Sequence, residues 1–285
     1  MVSSFDLTLD DGRTLRVHDS ADTSDGPGNS AANTPTLLWL HGTPQTGAPL
    51  EPVLSAARAR GIRLLSYGRP SYGGSTPQPG RTIGSAAHDV EQIMDELGIE
   101  RMSLLGASGG SPHALACAAL LPERITAVAG LANMAPPDAE GLDWFAGMAG
   151  DGAALRAATR GREARATFAE TAEFDGSSFN AADYAALEAQ WQSMVRDVDE
   201  AASSGPDGEI DDDVAYVSPW GFDVTSIAAP VLLVQGGDDR ILPVAHAQWL
   251  LQRLPNAELW LRPRDGHVSV MNGFGVAMDW LRERP

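Results

Sequence analysis

Along the chain, short and almost unbroken apolar runs alternate with stretches of helical spacing. The runs are TLLWLHG (36–42), IRLLSYG (62–68), MSLLGAS (102–108), ITAVAGLAN (125–133), PVLLVQGG (230–237) and AELWLRP (257–263). Continuous hydrophobicity, as opposed to strict alternation, is what a strand buried on both faces requires. Between the runs lie helical patterns near residues 50–60, 81–98, 111–124, 244–254 and 268–282. Strand and helix in turn predict crossover connections and hence an α/β fold built on a doubly wound, mostly parallel sheet. The opening MVSSFDLTLDDGRTLRV (1–17) differs: it alternates around the turn at Asp11 and Gly12, as an antiparallel strand pair does.

Residues 19–35, rich in Ser, Asp, Gly and Pro, carry no periodicity and read as an exposed loop. Between residues 134 and 227 the strand signal disappears, and short helical patterns separated by Gly, Pro and acidic stretches such as SSGPDGEIDDD replace it. This predicts a core of residues 1–133 and 228–285 with a helical cap inserted over 134–227. Inside the cap, Tyr184, Leu187, Trp191, Met194 and Val198 recur at spacings of three and four, which places them on one helical face. Packing of that face onto the core is the simpler reading, and a substrate contact by Trp191 the alternative. No fixed-period repeat occurs, and no G-x-G-x-x-G opens a helix after a strand, which disfavours a dinucleotide site.

Charge and composition narrow the chemistry. A net charge of −18 repels nucleic-acid phosphates and anionic membrane surfaces, so neither is an expected partner. All 20 basic residues are Arg, and the absence of Lys removes Schiff-base chemistry, lysine-anchored pyridoxal phosphate and the P-loop lysine. The lone Cys117 can form no internal disulfide, and no run of about 18 apolar residues is present to cross a bilayer. With no basic and apolar leader at the start, the expected location is the cytoplasm.

The strongest chemical signal is GASGG (106–110), a G-x-S-x-G pattern lying between an apolar strand and a helical stretch. In that context Ser108 stands on a sharp turn above the sheet edge, and the following helix aims free N–H groups at developing negative charge. A serine needs a base to take its proton. Of six histidines, His18 lies in the first strand pair, while His88, His113 and His246 fall within predicted helices. Only His41 and His267 follow the ends of central strands, where open α/β sheets place their sites. His267, preceded by Gly266, which permits a bend back toward the serine, is the expected base. An acid must then orient the imidazole, and Asp238 and Asp239, just past the run at 230–237, both qualify in the order Ser, Asp, His.

These motifs resemble the α/β-hydrolase fold family, in particular its capped members, over nearly the whole chain. The resemblance implies Asp239 as the acid, because it comes three residues after Gly236 in a turn followed by Pro243. His41, Gly42, Thr43 and Pro44 are similar to the family's His-Gly-x-Pro turn. By that match the backbone N–H groups of Thr43 and Gly109 form the oxyanion hole, and His41 is structural. The stretch from Gly68 to Ser75 is similar to the family's Asp-Arg-Pro-Gly-Tyr-Gly-x-Ser turn, with departures at Gly68 and Ser71. Ser108 stands where epoxide hydrolases and haloalkane dehalogenases of the family need a carboxylate. The implied activity is therefore acyl transfer from a small ester or thioester through an acyl-enzyme, needing no metal and no organic cofactor. Rival expectations are a proline-type aminopeptidase, with Glu163, Glu170, Glu173 or Glu188 holding the substrate ammonium, and a low-turnover ligand-binding member of the fold. Solvated helix faces explain those glutamates more simply.

Overall fold

The computed structural model describes residues 2–21 and 34–284. Most of the loop expected over residues 19–35 therefore lies outside the described residues. Eight strands form one sheet in the order β1-β2-β4-β3-β5-β6-β7-β8. The hairpin of β1 (Ser3–Thr8) and β2 (Thr14–Asp19) joins antiparallel at one edge. The remaining strands, β3 (Thr36–Leu40), β4 (Arg63–Tyr67), β5 (Met102–Ala107), β6 (Ile125–Leu131), β7 (Val231–Gly236) and β8 (Ala257–Arg262), are parallel. The sheet is thus doubly wound and mostly parallel, and each apolar run found in the sequence corresponds to one strand.

Side chains along these strands alternate between two separate apolar layers, which is why the runs are continuous. Leu38, Leu40 and Leu104 enter the layer that holds α2 (Ser85–Glu96), α3 (Gly110–Leu120) and α9 (Val244–Arg253). Leu37, Trp39 and Leu105 enter the layer that holds α1 (Glu51–Ala59) and α10 (Phe274–Arg282). Each helix offers an apolar stripe to its layer: Val53, Leu54 and Ala57 on α1, and Ala277, Met278 and Leu281 on α10, are buried. No helix among the described residues is long and apolar enough to cross a membrane.

Between β6 and β7 the chain runs through α4 (Ala153–Ala158), α5 (Arg162–Ala169), α6 (Ala181–Glu188), α7 (Gln192–Ser203) and α8 (Asp207–Tyr216). The single helical face expected from Tyr184 to Val198 is broken. Helix α6 ends at Glu188, Ala189 leaves helical geometry with ψ of −98°, and α7 restarts after Trp191. Trp191 is fully buried against Phe274 at 5.3 Å between ring centroids, whereas Tyr184 is exposed. Trp191 is therefore a packing residue. The stretch DGEIDDD, read from sequence as a separator between helices, is instead the start of α8, with Asp211, Asp212 and Asp213 buried. Each of the three meets an arginine: Arg162 binds Asp211, Arg69 binds Asp212 and Arg165 binds Asp213. Pairing satisfies carboxylates that could not otherwise leave water.

Candidate active site

The parallel strands bring their C-terminal ends to one edge, and the loops leaving β3, β5, β7 and β8 converge there. Ser108 follows β5 at the turn into α3 with φ of 50°. A left-handed backbone at a non-glycine residue costs about 1–2 kcal/mol and lifts the side chain out of the strand path. The turn is tight on every side. A Cβ at Gly110 would lie 2.0 Å from the Leu40 carbonyl oxygen, and one at Gly109 would lie 2.0 Å from the Tyr216 hydroxyl and 2.6 Å from Thr43 Oγ1. The glycines after the serine are therefore demanded by close approach of the β3 loop and α8. The Ser108 N–H donates to Leu131 at 2.8 Å, which anchors the turn to β6.

His267 lies in the turn after β8 and reaches past the ends of β7 and β6 to the serine after β5. Its Nε2 is 2.9 Å from Ser108 Oγ, and its Nδ1 is 2.9 Å and 3.1 Å from the two carboxylate oxygens of Asp239. With Nδ1–H donating to the carboxylate, Nε2 is left free to accept the serine proton. Asp239 is itself fixed: its Oδ1 accepts from the N–H groups of Ile241 and Leu242, both at 2.9 Å, and its Oδ2 accepts from Gln235 Nε2 at 3.3 Å. Burial by itself lowers the His267 pKa, but the charge of Asp239, its hydrogen bond and the charge of Asp183 outweigh burial and raise it above the ordinary value. Asp238 points elsewhere, toward Asn180 Nδ2 at 2.9 Å, and its side chain is 46% exposed, so of the adjacent pair only Asp239 meets the imidazole.

Thr43 lies beside Ser108 in the loop after β3. Neither the Thr43 nor the Gly109 N–H donates to an acceptor within the fold among the described residues, so both are uncommitted. The Thr43 hydroxyl is fully occupied: it donates to Asp212 Oδ2 at 2.6 Å and accepts from Arg69 Nη2 at 2.9 Å, and Tyr216 sits 2.7 Å away. A hydroxyl has one proton and two lone pairs, so Tyr216 must donate to it. Arg69 also donates to the carbonyl oxygens of His41 and Gly42 and pairs with Asp212 at 2.6 Å. Thus Arg69 does contribute to the site, through the β3 loop, despite the departures of its own loop at Gly68 and Ser71. Burial would raise the Asp212 pKa, but Arg69 and Arg81 hold this carboxyl well below the usual carboxylate range.

Among the described residues no other histidine hydrogen-bonds to Ser108 or Asp239. His41 is buried, donates from Nδ1 to its neighbour Gly42 at 2.7 Å and accepts the Arg69 N–H at Nε2, and burial with the adjacent Arg69 charge keeps it neutral. It braces the loop after β3. Glu163, Glu170, Glu173 and Glu188 are all exposed. Sequence reasoning missed Asp183, a buried carboxylate on α6 that accepts the His267 N–H at 3.2 Å. It also misjudged Gly266, whose φ lies outside the left-handed region; a Cβ there would fall 2.1 Å from Asp183 Oδ2. Glycine is present at 266 because a carboxylate occupies the space. Among the described residues no group of three or more His, Cys, Asp or Glu side chains is arranged to hold a metal ion.

A family model described as the alpha/beta hydrolase fold matches residues 35–274. A pimeloyl-[acyl-carrier protein] methyl ester esterase of Nitrosomonas europaea is 27% identical over 245 residues, covering 85% of this chain and 92% of the esterase. A 2-hydroxy-6-oxononadienedioate/2-hydroxy-6-oxononatrienedioate hydrolase of Paraburkholderia phymatum is 25% identical over 277 residues, covering 93% of this chain and 89% of that protein. Among solved structures, the enol-lactonase of Burkholderia xenovorans LB400 superposes with a TM-score of 0.70 at 22% identity, covering 98% of this chain and all of that one, a likeness of fold.

Proposed function

Because the chain belongs to the α/β-hydrolase fold family, we propose that it hydrolyses a small carboxylic ester or thioester with Ser108 as nucleophile, His267 as general base and Asp239 as the orienting acid. The observation that carries this reading is the unbroken hydrogen-bonded line from Ser108 Oγ through both imidazole nitrogens to the Asp239 carboxylate. Two uncommitted backbone N–H groups lie beside it. Ser108 Oγ attacks the acyl carbon while its proton passes to His267 Nε2. The carbonyl oxygen gathers negative charge between the N–H groups of Thr43 and Gly109, each such donor being worth about 10² to 10³ in rate. The imidazolium formed is held by Asp239, and it gives its proton to the departing alkoxide or thiolate. Water then attacks the acyl-serine with His267 again as base, releasing the acid and restoring the serine.

The helices between β6 and β7 act in this proposal as the cap over residues 134–227, since α8 places Tyr216 against Gly109 and α6 places Asp183 behind His267. The curated relatives named above include an ester hydrolase, which supports the reaction class. Exposure of all four candidate glutamates leaves the aminopeptidase alternative without an ammonium-binding carboxylate among them.

The test pairs p-nitrophenyl esters of increasing chain length with aminoacyl arylamides, alongside labelling by a fluorophosphonate probe. Ester turnover together with a covalent adduct on Ser108 is expected. A folded protein that forms no adduct, or one that prefers arylamides, would count against the proposal.

A further inference from the structure

Asp183 is completely buried, and among the described residues no arginine or other cation pairs with it; instead, backbone and hydroxyl donors surround it. Its Oδ1 accepts from the N–H groups of Val268 at 2.9 Å and Ser269 at 2.7 Å and from the Ser269 hydroxyl at 2.8 Å. Its Oδ2 accepts from the N–H groups of His267 at 3.2 Å and Asn180 at 3.1 Å. The Gly266 N–H donates to the Ser269 hydroxyl at 2.7 Å, so residues 266–269 are all tied to this carboxylate, directly or through Ser269. No strand holds this stretch, because β8 ends at Arg262. The same turn of α6 also engages the acid loop: Asn180, which caps α6, donates from Nδ2 to Asp238 at 2.9 Å, next to Asp239.

From this arrangement we infer that Asp183 is a positioning residue for the general base, setting the turn of His267 so that the imidazole spans Asp239 and Ser108. The inference rests on the serine-hydrolase reading given above. Three consecutive backbone N–H groups converging on one carboxylate fix the path of residues 267–269. Charge-assisted bonds are about twice as strong as neutral ones, so the path is held stiffly. Gly266 completes the device: any side chain there would push Asp183 away. An amide cannot reproduce this set, because its NH2 would face N–H donors where Oδ2 now accepts from His267 and Asn180, and only a carboxylate also adds negative charge behind an imidazole that becomes cationic during turnover. The charged groups that face His267 are Asp239, from the loop after β7, and Asp183, from α6, while the Ser108 hydroxyl faces Nε2.

The decisive experiment follows Ser108 labelling by a fluorophosphonate, and kcat and KM for p-nitrophenyl acetate against pH. It compares the wild-type chain with Asp183→Asn, Asp183→Ala, Gly266→Ala and the Asp183→Ala/Gly266→Ala double variant, each checked for cooperative unfolding. For Asp183→Asn we expect kcat lower by on the order of 10²-fold, the loss that follows about 1 Å of misplacement, with KM little changed. The acid limb of its profile moves to lower pH, because removing the charge of Asp183 lets the His267 pKa fall. Gly266→Ala is expected to lose activity in the wild-type background and to cost little more once Asp183→Ala has been made, since the group it strikes is gone. A folded Asp183→Asn protein with wild-type kcat and an unmoved acid limb overturns the inference, as does an additive double-mutant cycle. If both Asp183 variants fail to fold, Gly266→Ala alone decides: wild-type kcat in the folded variant overturns the inference, and a large loss supports it. Failure of the wild-type chain to label at Ser108 would instead overturn the hydrolase reading itself.

Discussion

At the scale of single residues, the site depends on which proton each atom holds. In the proposed mechanism His267 must be neutral at Nε2 to take the Ser108 proton, and its pKa is raised, so activity is expected to fall as pH drops through a midpoint above the ordinary histidine value of about 6.5. A kcat/KM profile between pH 5 and 9 checks this; a midpoint well below 6.5 would show that burial and not Asp239 governs the imidazole. Replacing Ser108 by Ala, or His267 by Gln, should remove turnover by several orders of magnitude while leaving thermal unfolding nearly unchanged. Asp239→Asn is expected to lower kcat by about 10⁴, because the amide favours the wrong imidazole tautomer. Of the residues concerned, Ser108 and His267 were legible in the sequence because each sits in a strand-end motif whose neighbours are local. Position past the strand does not distinguish Asp238 from Asp239, and only the family resemblance points to Asp239. What separates them is that Asp239 accepts from Ile241 and Leu242 and so turns toward His267.

Elements explain what holds the loops in place. Helix α8 carries Asp212, which binds Arg69, Arg81, Tyr72 and the Thr43 hydroxyl at once. Removing one partner of a buried ion pair strands the other, so Asp212→Ala is expected to destabilise the protein by about 3–5 kcal/mol. Urea unfolding measures this, and a cost below about 1 kcal/mol would mean that Arg69 and Arg81 find other partners or water. Nothing in the composition of α8 announces this role. An acidic run with Gly and Pro before it has the pattern of a solvated segment, and only its encounter with arginines from 48 to 143 positions away makes it buried structure. The break between α6 and α7 has the same origin. The spacing of apolar residues continues through Ala189, yet Trp191 must turn inward to reach Phe274 and donate its indole N–H to Asn272 at 2.9 Å.

Across the whole molecule, buried neutral histidines link stability to pH. Burial, with the nearby Arg69 charge, pushes His41 well below its ordinary value and His113 down to about 3; burial lowers His246 to about 4. Below pH 6.5 the unfolded chain binds protons that these three native rings refuse, so the unfolded state is favoured on acidification. Each ring costs about 1.4 kcal/mol per pH unit over its window, which closes near pH 4 for His246 and near pH 3 for His113. His267, whose pKa is raised, works in the opposite direction and offsets part of one such contribution, its stabilisation being full below about pH 6.5 and lost as pH rises through its folded pKa. Burial raises the Asp213 carboxyl to about 7, so its protonation in the native state offsets about one ring over the same window. Thermal unfolding from pH 7 to 4 should still show a net fall in Tm, with a flat profile refuting the linkage. Cys117 offers a second measure. Its thiol is buried and its pKa pushed up by burial, so alkylation is expected only as the fold opens, at a rate that rises with urea.

The sequence by itself determined the layered architecture, the position of the helical insertion's helices between two strands, and the strand-end residues Ser108 and His267. It could do so because hydrophobic period and turn chemistry are local properties, written within a few residues of where they act. Family resemblance points to Asp239, but tertiary structure alone decided what turns that carboxylate toward His267, why position 266 is glycine, and that acidic residues of α6 and α8 lie buried against the core. Those outcomes depend on groups far apart in the chain. Asp183 and His267 stand 84 positions from each other, and Thr43 and Asp212 stand 169, and a carboxylate has the same appearance in sequence whether water or three backbone N–H groups await it.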